Sequence, residues 1–153
     1  MSLKGKGAIT GVGDTRYTKM SGKIVTTLQM EASLAAIRDA GLDPKQIDGI
    51  IVWGSMQVVA EDFITNFGIA DLKFSAVTPL GGASPVASVQ CAIAAVSAGI
   101  CNHVLIPVGR NGSSGVGGRI GARVREMPPF RTIGEFEMPS GAVPSTPLTL
   151  PTI

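Results

Sequence analysis

The residues best placed to do chemistry lie in the turn Pro79-Leu80-Gly81-Gly82-Ala83-Ser84-Pro85. A short apolar segment, Phe74 to Thr78, precedes this turn, and an alanine-rich helix is predicted after it. In an open α/β sheet, a strand-to-helix turn of this kind lies at the carboxyl edge, where ligands and nucleophiles are placed. The turn supplies backbone amides and one hydroxyl, but no cysteine.

Two interpretations of this turn are open. The amides of Gly81, Gly82 and Ala83 could form an anion-binding nest or an oxyanion hole, because glycine permits close approach and the following helix presents its positive end. The alternative is a tight turn that uses glycine for backbone geometry alone. Ser84 could be a nucleophile, but no base stands at a recognisable spacing, and a role as the N-cap of the helix already explains it.

The remaining side chains with catalytic or metal-binding potential are His103, Cys91 and Cys101. His103 could act as a base, since imidazole titrates near neutrality, but no partner is placed for it, and a structural or edge histidine is the simpler interpretation. Two isolated thiols and one histidine do not make a zinc site, so we expect core packing for both cysteines and no metal. A helix that separates the thiols disfavours a local disulfide, which fits a reducing cytoplasm.

The composition argues against two classes of partner. The net charge of +2 comes from dispersed residues, and the arginines after Gly109 lie in a glycine-rich tail, so nucleic-acid binding is not expected. The most membrane-like stretch, Ser84 to Val108, is broken by polar residues, glycine and proline, and therefore predicts a helix followed by a buried strand. Only 16% of residues are charged, against the ~25% of an average soluble domain, which suggests a surface covered by oligomerisation.

The apolar pattern predicts alternating strands and helices, and hence an α/β fold with a largely parallel sheet and helices on its faces. Gly41 stands where a helix C-cap glycine is expected, and Asp43-Pro44-Lys45-Gln46 has the composition of a short capped turn. The predicted strands are Ala8 to Val12, Ile50 to Trp53, Phe74 to Thr78 and His103 to Val108; the predicted helices are Thr26 to Ala40, Val58 to Ile69 and one that begins at Ser84.

The last of these helices is the most strongly patterned. Its large apolar residues recur at three- and four-residue steps, and alanines occupy its other faces, so we expect it to pack between layers. Beyond it the character of the chain changes to glycine and proline without periodicity. We therefore divide the chain into an α/β domain, residues 1–109, and a loop region and tail, residues 110–153. The recurring apolar residues of the helix are Val86, Val89, Ile93, Val96 and Ile100.

Read together, these segments resemble the N-terminal half-domain of the thiolase superfamily, in particular the thiolase-like lipid-transfer group often labelled acetyl-CoA acetyltransferase. The resemblance covers residues 7–140 and rests on the order and spacing of several short motifs. These are Ala8-Ile9-Thr10-Gly11-Val12-Gly13, Ala40-Gly41-Leu42-Asp43-Pro44, Ile47-Asp48-Gly49, Gly81-Gly82-Ala83-Ser84, Ala98-Gly99, His103-Val104-Leu105-Ile106 and Gly109-Arg110-Asn111.

The resemblance implies a three-layer α/β/α half-domain with a mainly parallel mixed sheet, whose fifth strand is antiparallel. It also implies that Gly82 occupies the position of the thiolase nucleophilic cysteine. Glycine has no side chain with which to attack, and Cys91 lies too far along the helix to substitute for it. We therefore assign no catalytic residue in this chain and expect no competent thiolase reaction by this chain alone.

The same resemblance implies an acyl-CoA or lipid-like ligand, with a coenzyme A thioester as substrate and no other cofactor. Arg110, Arg119 and Arg123 are then candidates to meet the CoA phosphates, although a solvated basic loop is the simpler interpretation. Two alternatives are open: a noncatalytic binding or assembly module, and the truncated half of a retro-aldol enzyme acting on CoA esters. For the retro-aldol enzyme, the resemblance implies tyrosines beyond this chain and a small partner protein with an oligonucleotide-binding fold.

Overall fold

The computed structural model describes residues 3–18, 21–53 and 58–110. Helices and strands alternate along this part of the chain, and two short 3-10 turns, Pro44–Gln46 and Gly81–Ala83, lie between them. The helices are α1 (Val25–Asp39), α2 (Ala60–Phe67) and α3 (Ser84–Ser97), and the strands are β1 (Gly49–Val52), β2 (Phe74–Val77) and β3 (Val104–Leu105). The predicted loop region and tail, and any fifth strand within them, lie outside the described residues apart from Arg110.

The three strands form an open parallel sheet in the order β2-β1-β3. Ile50, in the central strand, lies opposite Ser75 on one side and Leu105 on the other. The connection from β1 to β2 through α2 and the return from β2 to β3 through α3 run in opposite directions across the sheet. Right-handed crossovers therefore place these two helices on opposite faces. The predicted α/β class with parallel strands is confirmed.

The central strand is buried on both faces, as its unbroken apolar sequence predicts. All four residues of β1 are buried, and Ile50 and Ile51 are 0% exposed. Ile50 joins a core that includes Ile37 of α1 and the aromatic pair Phe63 and Phe67 of α2, whose ring centres lie 5.8 Å apart in an edge-to-face arrangement. Burial of each such side chain stabilises the folded state by about 1.5–3 kcal/mol. Because residues of two helices pack against Ile50, β1 lies at the centre of the hydrophobic core.

The first helix and its ending agree with the prediction. Gly41 adopts φ +69°, a left-handed conformation that favours glycine. Its N–H donates to the carbonyl of Arg38, and the N–H of Leu42 donates to the carbonyl of Ile37, both at 3.0 Å. These two hydrogen bonds form a Schellman motif, which satisfies the last carbonyls of α1 and stops the helix.

The predicted capped turn after α1 is also confirmed. The side chain of Asp43 accepts a hydrogen bond from the N–H of Lys45 at 2.9 Å, and the side chain of Gln46 accepts one from the N–H of Asp43 at 2.8 Å. This reciprocal capping fixes the 3-10 turn Pro44–Gln46 and sets the direction in which the chain enters β1.

The predicted first strand, Ala8 to Val12, is wrong. This segment belongs to no strand of the described sheet, and Ile9 and Val12 are 72% and 70% exposed. The N–H of Val12 instead donates to the carboxylate of Asp39 at the end of α1, at 2.9 Å. A short apolar run that ends in glycines is therefore compatible both with a strand of a sheet and with a segment that lies on a helix without strand pairing.

The glycines of this segment explain its path. A Cβ at Gly11 would lie 2.2 Å from the carbonyl oxygen of Ala36, and one at Gly13 would lie 2.2 Å from that of Ala32. Both distances are shorter than any side chain tolerates, so the two glycines allow the segment to lie directly on the backbone of α1. Close approach to a helix, rather than strand pairing, is therefore the reason for glycine at these positions.

Helix α3 packs through a different face from the one its apolar pattern suggested. Its buried residues are small, and its large aliphatic residues are partly or largely exposed, with Val86 at 67%. Ile100, which the apolar pattern places in the same helix, follows the end of α3 and is 46% exposed. Small side chains let a helix approach a sheet closely, which explains the choice of face. The expectation that α3 is enclosed between layers is therefore wrong for the described part of the chain. The buried residues of the helix are Ser84, Ser88, Ala92 and Ala95.

The last strand is present but shorter than predicted. Pairing extends over Val104 and Leu105, opposite Gly49 and Ile50, and not over the whole of His103 to Val108. The ladder ends before Pro107, which has no N–H to donate. The stretch Ser84 to Val108 is thus a helix followed by a strand, as predicted, and no helix among the described residues is long and apolar enough to cross a membrane.

One carboxylate links the beginnings of all three strands. Asp48, which immediately precedes β1, accepts hydrogen bonds from the N–H groups of Asn102 and His103 at 2.9 and 2.8 Å, just before β3. It also accepts from the amide of the Asn102 side chain at 3.2 Å and from the ammonium of Lys73 at 3.4 Å. Its backbone carbonyl accepts from the N–H of Phe74, where β2 begins, at 3.1 Å.

The ionised form of Asp48 is the stable one in the fold. Burial raises the pKa of this carboxyl, since only 7% of the residue is exposed, but the hydrogen bonds from His103, Asn102 and Lys73 lower it by more. The net effect holds the pKa of Asp48 below its ordinary value. The charge is thus stabilised by backbone N–H donors and an ammonium rather than by water.

The substitution Asp48→Asn is expected to lower the free energy of unfolding by about 2 kcal/mol near neutral pH, because it removes a charged acceptor from buried donors. The folded-state pKa lies below the unfolded value of about 3.9, so the stabilisation is complete above that value and is lost as pH falls through the folded-state pKa. Urea unfolding at several pH values should show the difference from wild type shrinking in acid. Asp71→Asn, whose side chain is 80% exposed, is the matched control and should change stability by less than about 0.5 kcal/mol. A difference that persists unchanged in acid would contradict this assignment.

Candidate functional site

The turn between β2 and α3 lies at the carboxyl edge of the sheet, as predicted. The N–H of Thr78, which follows β2, donates to the carbonyl of Val52 at the end of β1, at 3.2 Å. The chain then forms the 3-10 turn Gly81–Ala83 and continues directly into α3. The turn is therefore adjacent to the last residues of the central strand.

The turn uses some of its amides and leaves others available. The N–H of Ala83 donates to the carbonyl of Leu80 at 3.2 Å, and the N–H of Ser84 donates to the carbonyl of Gly81. Within the described residues, the N–H groups of Gly81 and Gly82 have no hydrogen-bond acceptor, and both glycines are exposed. The donors that could bind an oxygen of a ligand are thus those of two residues and not of the whole sequence Gly81 to Ser84.

Ser84 does not cap the helix. The N-cap position is Ala83, and the Ser84 hydroxyl instead accepts a hydrogen bond from the N–H of Leu80 at 2.9 Å. Ser84 is 1% exposed, so its hydroxyl closes the turn from inside and does not face a ligand. The predicted N-cap role is therefore wrong, because the preceding 3-10 turn moves the cap position one residue back.

A buried set of hydroxyls fixes the turn to the helix. The hydroxyl of Ser88 donates to the carbonyl of Ser84 at 2.9 Å and is paired with the hydroxyl of Thr78 at 2.6 Å. Ser88 is 2% exposed. The end of β2 and the first turn of α3 are thus joined by satisfied polar groups, which hold the loop between them in one arrangement.

Trp53 is a site residue that the sequence did not single out. Its indole N–H donates to the carbonyl of Gly81 at 3.0 Å, and the guanidinium carbon of Arg110 lies 4.1 Å from the centre of its ring. Trp53 directly follows β1, so it stands at the same edge as the turn. Its position at the carboxyl end of a buried strand was the signal that could have identified it.

Arg110, a predicted CoA contact, lies at this edge as well. It is exposed, it stacks on Trp53, and no carboxylate within the described residues forms an ion pair with it. The side-chain amide of Gln29 donates to the carbonyl of Gly109 at 3.1 Å and thereby holds the preceding residue against α1. Arg119 and Arg123 lie outside the described residues.

His103 and the cysteines are not at this edge. His103 precedes β3 and so lies at the amino edge, where its Nδ1 is 3.2 Å from the carbonyl oxygen of Gln46. Cys91 and Cys101 are free thiols, and burial together with the nearby charge of Asp48 raises the pKa of Cys101. Across residues 3–18, 21–53 and 58–110, no three histidine, cysteine or acidic side chains come together in a way that could hold a metal ion.

The fold and the candidate site define an α/β domain whose carboxyl edge presents backbone donors and one stacked cation. No protein-family model matches the chain. It is 38% identical over 125 residues to the steroid side-chain-cleaving aldolase of Thermomonospora curvata and 35% identical over 126 residues to the 17-hydroxy-3-oxo-4-pregnene-20-carboxyl-CoA lyase of Mycobacterium tuberculosis. These alignments cover 82% and 81% of this chain but 32% of each relative. The chain thus spans about a third of the length of the curated relatives it matches.

A solved structure named as an aldolase is also similar to this chain. The protein described as "Ltp2-ChsH2(DUF35) aldolase" matches 85% of this chain and 35% of its own, with a TM-score of 0.71 and 36% sequence identity. This similarity agrees with both sequence comparisons.

The comparisons contradict the resemblance to the thiolase and acetyltransferase group. The similar proteins are named as aldolases and a lyase, and none carries the name of a thiolase or an acyltransferase. Local structure explains glycines in two of the motifs that carry this resemblance: Gly41 ends α1, and Gly81 adopts a left-handed φ in the turn before α3. Such features serve backbone geometry in any α/β domain, so they did not identify the reaction.

Two alanine substitutions test the geometry of the turn. Gly81 adopts φ +58°, whereas the φ of Gly82 lies outside the left-handed region, and an added Cβ at either position meets no atom of the described residues within 4 Å. Gly81→Ala is therefore expected to lower the free energy of unfolding by about 1 kcal/mol through backbone strain alone. Gly82→Ala should stay within about 0.5 kcal/mol of wild type. Urea unfolding measures both values, and equal effects at the two positions would refute the described turn.

Proposed function

We propose that this chain is part of an aldolase that cleaves the bond between the α and β carbons of a β-hydroxyacyl-CoA. The support is the sequence identity of 38% to a steroid side-chain-cleaving aldolase and of 35% to a lyase whose name specifies a CoA ester. This is the retro-aldol alternative and not the acyltransferase reaction. A coenzyme A thioester is the proposed substrate.

The reaction makes one particular demand on the protein. The β-hydroxyl loses its proton to a base and becomes a carbonyl, while the bond between the α and β carbons breaks. The electron pair of that bond moves into the thioester, which becomes an enolate, and the α carbon then takes up a proton. Negative charge develops on the thioester oxygen, so donors held at that oxygen accelerate the reaction.

The single observation that carries the proposal within this chain is the pair of unengaged amides at Gly81 and Gly82. They precede α3, whose N-terminal end carries a partial positive charge, and they lie at the carboxyl edge of the sheet. Such donors suit an enolate oxygen because they are fixed by the turn before the substrate arrives. No described side chain is assigned as the base.

Arg110 is proposed to contact an anionic group of the CoA ester, since its guanidinium is exposed and forms no ion pair in the described chain. Arg119 and Arg123 stay predictions for the same role. We further propose a protein partner, because the name of the similar solved structure has two components, Ltp2 and ChsH2(DUF35). A second copy of the chain is proposed as an additional partner on the ground of its low charged fraction.

Binding of β-hydroxyisovaleryl-CoA tests the proposal. Calorimetry with the 153-residue chain should detect binding, and Gly82→Val should weaken it about tenfold or more by crowding the two amides. Retro-aldol cleavage of this compound would release acetone and acetyl-CoA, which chromatography can follow.

Two matched variants serve as controls for this experiment. Gly82→Ala should weaken binding less than Gly82→Val, and Asp71→Asn, before β2 at the opposite edge, should not change it. Absence of binding by the wild-type chain, or equal affinities of wild type and Gly82→Val, would contradict the proposed site. If the chain binds a protein partner or a second copy of itself but binds no CoA ester, the noncatalytic assembly module would be favoured.

A further inference from the structure

One side chain touches both functional parts of the carboxyl edge. The indole N–H of Trp53 donates to the carbonyl of Gly81 at 3.0 Å, and the face of the same ring supports the guanidinium of Arg110 at 4.1 Å. These contacts join residues that are 28 and 57 positions away along the sequence. We propose that Trp53 is a positioning residue that holds the Gly81–Gly82 amides and Arg110 together for one CoA ester, an inference that rests on the proposed function.

The contact with Gly81 orients the turn. A carbonyl and the N–H of the following residue belong to one planar peptide unit, so holding the Gly81 carbonyl fixes the direction of the Gly82 N–H. That carbonyl accepts from the indole and also from the N–H of Ser84, which tightens the turn from two sides. The unstrained φ range of glycine is wide, so a turn of two glycines without such a contact would have more conformations available.

The contact with Arg110 limits a long and otherwise free side chain. A guanidinium over an indole face is attracted by the ring quadrupole. All five N–H donors of the guanidinium point outward in its own plane, so stacking leaves them free for an anion. Trp53 thus reduces the entropy that Arg110 would lose when a ligand binds.

Three variants separate the two contacts. Trp53→Phe keeps an aromatic face for Arg110 but has no N–H for Gly81, Trp53→Leu removes both contacts, and Arg110→Gln removes the cation while the indole stays. Trp53 is the single tryptophan of the chain, so the fluorescence of the wild-type protein reports on this residue alone.

Titration of the 153-residue chain with acetyl-CoA provides the test. Binding should change the Trp53 fluorescence, and the Kd from calorimetry should rise about threefold in Trp53→Phe and about tenfold in Trp53→Leu. Arg110→Gln should raise the Kd and reduce its dependence on salt, because a charge contact is lost. In the Trp53→Leu background, Arg110→Gln should raise the Kd by less than it does in wild type, since Trp53 acts through Arg110.

The outcomes are distinguishable. An unchanged Kd in both Trp53 variants, or fully additive effects of Trp53→Leu and Arg110→Gln, would overturn the positioning role while leaving the proposed function intact. No binding of acetyl-CoA or β-hydroxyisovaleryl-CoA by the wild-type chain would overturn the proposed function and this inference with it. If Trp53→Phe loses affinity while its stability in urea equals that of wild type, the loss comes from the positioning role of Trp53 and not from a general effect on folding.

Discussion

The carboxylate of Asp48 is the constraint on which the arrangement of the sheet depends. It lies at the amino edge, where it accepts the backbone N–H groups that precede β3 and the ammonium that precedes β2. Parallel strands have no hairpin to set their register, and here a single buried charge aligns the three entry points. Once the entry points are fixed, the strand lengths determine where the opposite edge lies, and Trp53, the glycine turn and Arg110 meet there. Structure at one end of the sheet thus determines the geometry of the site at the other.

Local signals were sufficient for much of this fold. The Schellman glycine after α1, the capped turn at Asp43 and the unbroken apolar sequence of β1 each act within a few residues, and all three were predicted correctly. The failures concern longer-range packing. An apolar run from Ala8 to Val12 has the composition of a strand, but the glycines beside it fit the backbone of α1 and the segment never enters the described sheet. Composition does not reveal which neighbour a segment meets.

The site shows the same division between local and distant interactions. The glycine turn was found because its residues are contiguous, whereas Trp53 and Arg110 are brought together from separate strand ends. The sequence predicts Ser84 as the N-cap of α3, but the preceding 3-10 turn places Ala83 at that position. The reaction class depended on still more distant information, since glycine turns of this kind occur in domains with unrelated chemistry. Similarity to named aldolases over most of this chain, and not any motif, favours the retro-aldol alternative over acyl transfer.

The small-residue face of α3 has a consequence for variation in this protein. Because Ala92 and Ala95 lie on the buried face of α3, their methyl groups set the distance between the helix and the sheet. A bulkier residue at either position would lift the helix axis, and Ser84 and Ser88, on the same face, would move with it. Ala92 lies about 12 Å along the axis from Ser84, at a rise of about 1.5 Å per residue. The position of the turn is therefore sensitive to side-chain volume more than two helical turns away.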